Sequence, residues 1–309
     1  MSQYPFIISP VNEEEAQSLP EFIKKNSSQI HKQLEESGAL LFRGFSVKDA
    51  ESFEKVSKAG TPNLLENTGG GSPRTLIQGK VYTSTEYSED QWIPLHCEQS
   101  YFSSMPNYIW FFCLIPPKEQ GQTPIGDMQE LLTRLYPKLV ERFQEKGVRY
   151  IYNLHGGKGF SVGWQKAFLT EDKQQVTDWL DEQGADYKWN SDNSLSIKLL
   201  APGLRNHSST NELVWGNQAV NWHVDTFPAQ MKKMIRRVYR SEENYPKHAM
   251  FGDGSPIDET DIQHILKVQA DMEVTFDWQQ GDVLWCDNQR MAHGRRPFQG
   301  SRKILVALA

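Results

Sequence analysis

Apolar and polar positions alternate in two ways along this chain, with helical spacing early and strand-like runs throughout the rest. Phe22, Ile23, Ile30 and Leu34 recur at roughly helical spacing over 20–37, and Gly38 stands where a helix would stop. GALLFRGF (38–45) is an apolar run between glycines and predicts a buried strand. Residues 48–59 suit a second helix and 127–145 a third, broken before Pro137. Further helices are expected at 174–184, 228–240 and 258–270. Runs rich in β-branched and aromatic residues predict strands at 81–87, 92–96, 108–115, 148–154, 194–202, 212–218, 272–278, 282–287 and 303–309. Many short strands, with helices near the start and in insertions, predict a mainly β protein with helical decoration and a sandwich or barrel core. No repeat, low-complexity tract or Pro/Gly/Ser-rich linker divides the chain, so residues 1–309 read as one domain. The stretch from Leu64 to Arg74, with Gly69, Gly70 and Gly71, reads as a loop. It lacks the Gly-Lys-Ser/Thr of a phosphate cradle.

Composition narrows the function classes. Hydrophobic residues make up 38% and aromatics 11%, enough for a substantial core. A mean hydropathy of −0.61 and the absence of a long apolar run argue against a membrane span. The first residues lack a basic segment followed by an apolar one, so a cytoplasmic location is expected. The net charge is −6 without a long basic run, which disfavours nucleic acid as a partner. Lys232, Lys233, Arg236, Arg237 and Arg240 read as the solvated face of one helix. Cys97, Cys113 and Cys286 form no CxxC pair and suggest neither a disulfide framework nor a zinc ribbon.

Candidate chemistry starts at His96-Cys97-Glu98. On a strand, side chains at i and i+2 share a face, so His96 and Glu98 can reach one ion while Cys97 turns into the core. The distant His293 can close such a site. Two imidazoles and a carboxylate on one face of a metal leave positions open, the pattern of non-haem Fe(II) oxygenases. His223-Val224-Asp225 offers the same spacing, although Asp225 also suits an acceptor at a helix terminus. The plainer alternative for His96 and Glu98 is a hydrogen bond at a strand end, and HGRR around His293 also reads as a basic turn.

Several segments extend the comparison: SPRT (72–75), VYTSTEY (81–87), IPLHCEQSY (93–101), GQTPIGD (121–127), QQGDVLWCDNQRMAHGRRPFQGSRKILVAL (279–308) and, more loosely, VWGNQAVNWH (214–223). In this order the chain resembles the taurine dioxygenase/TfdA-like family of Fe(II)- and 2-oxoglutarate-dependent oxygenases, in its clavaminate-synthase-like and SyrP-like branch. The resemblance runs from about Gly38 to the C-terminus and implies a double-stranded β-helix, or jelly-roll, core.

It also implies roles. The iron ligands fall on His96, Glu98 and His293. Glu98 fills the place that a small residue leaves open for halide in related halogenases, so halogenation is not expected. Arg302, nine positions after His293, matches the arginine that holds the distal carboxylate of 2-oxoglutarate, and Thr123 the threonine that assists it. A guanidinium suits that task because its planar fork donates two parallel bonds. Arg295 and Arg296 compete for the role, and Asp287-Asn288 suits support of the ligands. His223 and Asp225 fall outside the ligand motif, which leaves a substrate role open.

The implied cofactors are Fe(II), 2-oxoglutarate and O2. The implied reaction hydroxylates an unactivated C–H bond of a small amino-acid-like substrate, free or carrier-protein-bound, and releases succinate and CO2. Arg74, Glu86, Gln99 and Asn217 are the polar candidates for substrate contact. Tyr87, Trp92, Tyr101, Phe102 and Trp222 are aromatic candidates for the pocket wall or the core. Desaturation or cyclisation at the same site would differ in product mass. A non-enzymatic jelly-roll metal-binding protein would have no need of all five of His96, Glu98, His293, Thr123 and Arg302. A zinc hydrolase would leave Arg302 idle.

Overall fold

The computed structural model describes residues 4–66, 74–159 and 162–309. Its largest sheet has seven strands in the order Phe6–Ile8, Ala39–Phe42, Val283–Asp287, Tyr108–Ile115, Lys303–Leu308, Val81–Thr83 and Leu76–Gln78. YIWFFCLI lies near its middle because nearly every residue of it is apolar, which suits burial on both faces. One face carries Leu40, Phe42, Trp110, Phe112, Val283, Trp285 and Leu305, and packs against Leu19, Ile23, Phe53 and Val56 of the N-terminal helices. The other carries Leu41, Phe111, Cys113, Leu284 and Val306, and shares a core with Ile125, Trp278 and Met291.

Ile125 and Met291 belong to a three-stranded sheet of Ile93–His96, Met291–Arg295 and Ile125–Asp127. A four-stranded antiparallel sheet follows the order Asp186–Trp189, Leu195–Ala201, Val148–Leu154 and Lys247–Phe251. It holds the third and largest core, with Tyr150, Tyr152, Trp215 and Trp222. Strands of two layers enclosing the interior, with helices outside, make a mainly β jelly-roll core with helical decoration.

Local signals explain most boundaries. Gly38 ends the helix Ser27–Ser37 in the left-handed region, φ 71°, which a residue without a Cβ adopts at little cost. Asp49 caps Ala50–Gly60 by accepting from the Ser52 amide. The helical stretch 127–145 is two helices, Met128–Arg134 and Pro137–Lys146, with Pro137 in the first turn of the second.

Some expectations are corrected. Residues 20–37 form two helices separated at Asn26. The run 272–278 is no strand: the helix Glu259–Met272 takes its start, and only Val274 bridges to Ile125. Residues 81–87 and 212–218 shorten to Val81–Thr83 and Leu213–Trp215, and Ala219–Trp222 follows as a helical turn. The basic turn suggested by HGRR is part of the strand Met291–Arg295. The basic helix is not wholly solvated, since Lys232 and Arg236 fold onto the buried Asp225. Gly69, Gly70 and Gly71 lie outside the described residues. Among those described, no helix is long and apolar enough to cross a membrane.

Candidate metal centre and its pocket

His96 ends the strand Ile93–His96, and the antiparallel register sets it directly opposite His293. Residues opposite each other share a face, and the two ring centroids lie 4.4 Å apart. Glu98 stands just beyond the strand end. Its Oε2 is 3.6 Å from His293 Nε2 and 4.0 Å from His96 Nε2. Both separations exceed a hydrogen bond. The ligating atoms of the three residues lie within 4.8 Å of one another, and no other such group of His, Cys, Asp and Glu occurs among the described residues.

Surrounding bonds set the chemical state of each ligand. His96 Nδ1 donates to the Pro94 carbonyl at 2.9 Å, which leaves the Nε2 lone pair for a metal. Asn288 clamps the backbone of Glu98, its Oδ1 accepting from the Glu98 amide at 2.7 Å and its Nδ2 donating to the Glu98 carbonyl at 3.0 Å. The same Nδ2 donates to the Pro106 carbonyl. Burial, with the neighbouring His293, pushes His96 down to about 3, and burial lowers His293 as well. For Glu98 burial acts upward, but Arg74, His293 and His96 outweigh it and hold the carboxyl below its ordinary range. Arg74 Nη2 donates to Glu98 Oε2 at 2.5 Å. Two neutral imidazoles and an ionised carboxylate are the form in which these groups bind a divalent cation. The donor set therefore fits Fe(II).

A cavity opens beside His96 and His293, lined among others by Arg74, Thr85, Phe111, Thr123 and Arg302. Arg302 precedes the last strand. Its Nε donates to the Gly121 carbonyl at 2.9 Å and its Nη2 to Thr123 Oγ1 at 3.2 Å. Thr123 Oγ1 also accepts from Trp278 Nε1 at 3.0 Å. Burial brings Arg302 down to about 10, so it stays cationic at neutral pH. The two competing arginines are otherwise engaged. Arg295 donates to the carbonyls of Thr85, Tyr87, Ser88 and Gln91, and Arg296 pairs with Glu273.

The other candidates divide. Arg74 is buried in the cavity wall and its Nη1 has no partner. Gln99 is buried next to Glu98 with φ 56°, turning the chain just after the ligand. Glu86 is exposed and accepts from Thr83 Oγ1, and Asn217 spends its amide on the Gly203 carbonyl and the Ala219 amide. Neither lines the cavity. Tyr101, Phe102 and Trp222 belong to the aromatic core, whereas Trp92 is exposed. His223 and Asp225 are buried apart from the metal group: His223 lies against His248, and Asp225 pairs with Lys232 and Arg236. Asp287 accepts from His207 Nε2 at 2.7 Å. The support that Trp278 gives Thr123 spans 155 positions and carries no sequence signal.

Residues 9–308 match the family model described as taurine catabolism dioxygenase TauD, TfdA family, and the chain belongs to that family. As a member of that family it is an Fe(II)- and 2-oxoglutarate-dependent dioxygenase, using O2. It is 34% identical over 292 residues to the dapdiamide synthesis protein DdaC of Enterobacter agglomerans, covering 94% of this chain and 87% of the relative. It is 32% identical over 320 residues to the clavaminate synthase-like protein At3g21360 of Arabidopsis thaliana, covering 99% and 93%. Among solved structures, asparagine oxygenase in complex with Fe(II), 3-hydroxyasparagine and succinate shares the fold. Its TM-score is 0.55 at 10% identity, covering 94% of this chain and 79% of that one.

Proposed function

We propose that this dioxygenase, read as one catalytic domain, hydroxylates an unactivated C–H bond of a small amino-acid-like substrate and releases succinate and CO2. The observation that carries the reading is one cavity holding two sets of groups. His96 and His293 line it, with the Glu98 carboxylate within 4.0 Å of both, and beside them Arg302 and Thr123 form a cationic, hydrogen-bonding end. Fe(II), 2-oxoglutarate and O2, when bound, would supply the oxidative decarboxylation and the oxidising power that breaks the C–H bond, one oxygen atom of O2 going to succinate and the other to the product. The chain's own residues do the positioning. His96, Glu98 and His293 hold the metal, and Arg302 with Thr123 holds the distal carboxylate of 2-oxoglutarate. Arg74 keeps Glu98 ionised, and Phe111, edge-on to His293 at 4.9 Å, walls the site with an apolar ring. Arg74 and Gln99, next to the ligands, are the polar residues best placed for the substrate.

The amino-acid class is supported by two relatives: one is named for dapdiamide synthesis, and the other was solved with 3-hydroxyasparagine. A free and a carrier-protein-bound substrate both fit this outline. Three free, buried cysteines suit a reducing cytoplasmic setting. The test is an anaerobic titration of metal-free protein with Fe(II) and then 2-oxoglutarate. A weak visible charge-transfer band that needs both additions is expected. Metal binding without that band would overturn the cosubstrate reading, and a product lighter by two hydrogens would replace hydroxylation by desaturation or cyclisation.

A further inference from the structure

The strand Lys247–Phe251 is the edge of the four-stranded sheet and pairs with Val148–Leu154. Partners across the ladder share a face, so Lys247, Ala249 and Phe251 lie with Tyr152, Tyr150 and Val148. The other five of these six belong to the largest core, in which Trp222 is 1% exposed. Lys247 is the one charged residue in that row. Its Nζ sits 4.5 Å from the centre of the Trp222 ring, and the Tyr152 ring meets Trp222 edge-on at 5.3 Å.

No described carboxylate pairs with Lys247. Burial lowers its pKa, outweighing the field of the metal ligand Glu98, the one carboxylate whose field reaches it. Two further donors beside it are unspent. Trp222 Nε1 is buried without a partner, and the Tyr152 hydroxyl bonds to no described residue. This corner of the core is joined to the metal ligands through the backbone. Asn221, next to Trp222, donates to the Pro94 carbonyl at 3.1 Å, and that carbonyl also accepts from His96. An unpaired cation on an inward face destabilises the fold unless an anion answers it.

We infer that Lys247, with the Trp222 indole and the Tyr152 hydroxyl, anchors a free carboxylate of the substrate beside the metal centre. This rests on the proposed function and sharpens it. A substrate tethered to a carrier as a thioester has spent its carboxyl and offers the anchor nothing, so the substrate is a free acid or carries a second carboxylate.

The experiment uses wild-type protein loaded anaerobically with Fe(II) and 2-oxoglutarate. It is titrated with L-amino acids, N-acetyl amino acids and small dicarboxylic acids, each beside its methyl ester, while the visible band is followed. At least one free acid should shift the band at concentrations about tenfold or more below its ester. Lys247→Met keeps the stem on Trp222 and should weaken that acid by about ten- to a hundredfold, and Lys247→Arg by far less. Equal responses to acid and ester, wild-type affinity in the Met variant, or no response to any free acid would overturn the anchor. The acid-over-ester preference needs no variant, so it decides even where Lys247→Met fails to fold. Absence of the band in wild-type protein would overturn the cosubstrate reading, and this inference with it.

Discussion

Glu98 is held by more partners than either histidine: Arg74 on its carboxylate, Asn288 on its amide and carbonyl, and both imidazoles within 4.0 Å. Removing it therefore does two things, whereas removing His96 does one. His96→Ala and Glu98→Ala should each abolish succinate formation from 2-oxoglutarate while the far-ultraviolet dichroism stays native. Glu98→Ala should also lose about 3–5 kcal/mol of stability, because Arg74 is left buried and uncompensated. Thermal melts of the two variants check this, and turnover in either variant would sink the ligand assignment. Arg302→Ala should raise KM for 2-oxoglutarate by about ten- to a hundredfold through loss of a charge-assisted bond, with a smaller change in kcat. An unchanged KM would shift the role to Arg74. The sequence made His96, Glu98, His293, Thr123 and Arg302 legible as candidates, through i, i+2 spacing and an ordered set of resembling segments. It could not show that Arg74 reaches Glu98, that Asn288 clamps it from 190 positions away, or that Trp278 supports Thr123. Those bonds follow from register and packing, which local patterns do not encode.

At the scale of elements, apolar runs and caps were readable and short polar strands were not. YIWFFCLI, VRYIYNL and the terminal KILVAL advertise themselves by composition. Met291–Arg295 (MAHGR) does not, because its burial comes from being the middle strand between Ile93–His96 and Ile125–Asp127. Lys247–Phe251 went unread for a similar reason, since its inward lysine breaks the apolar alternation. Between elements, His207 joins the strand Leu204–Asn206 to the end of Val283–Asp287 through Asp287. The hydrogen bond to Asp287 outweighs burial and raises His207 above its ordinary value of 6.5. A raised histidine contributes stability that is complete below its unfolded pKa and is lost as pH rises through its folded one. The melting-temperature gap between wild type and His207→Gln should therefore be widest near about pH 6 and shrink toward about pH 9. A gap that widens with pH would mean that His207 acts only as a neutral hydrogen-bond partner.

Across the whole molecule, the seven-stranded sheet separates two environments. Phe111 and Ile304 look inward to the cavity, while Trp110 and Trp285 look outward to the N-terminal helices, stacked with centroids 4.2 Å apart. Gly60, the last residue of Ala50–Gly60, lies against that stack. A Cβ there would stand 2.6 Å from Trp110 Cζ2 and 2.9 Å from Trp285 Cη2. Both indoles are fully buried, and Trp110 Nε1 is fixed on Thr61 Oγ1, so neither ring can swing aside freely. Gly60→Ala should therefore destabilise by about 1–3 kcal/mol from overpacking, a cost that outweighs the roughly 0.4–1 kcal/mol gained by stiffening the unfolded chain. Because the strain enters on the outer face, KM for 2-oxoglutarate should stay within about twofold of wild type while the melting temperature falls. Thermal melts and steady-state kinetics on the one variant separate these effects. A stable variant would show that the indoles yield, and a large rise in KM would show that the central strands carry displacement at Trp110 through to Phe111 and the metal ligands.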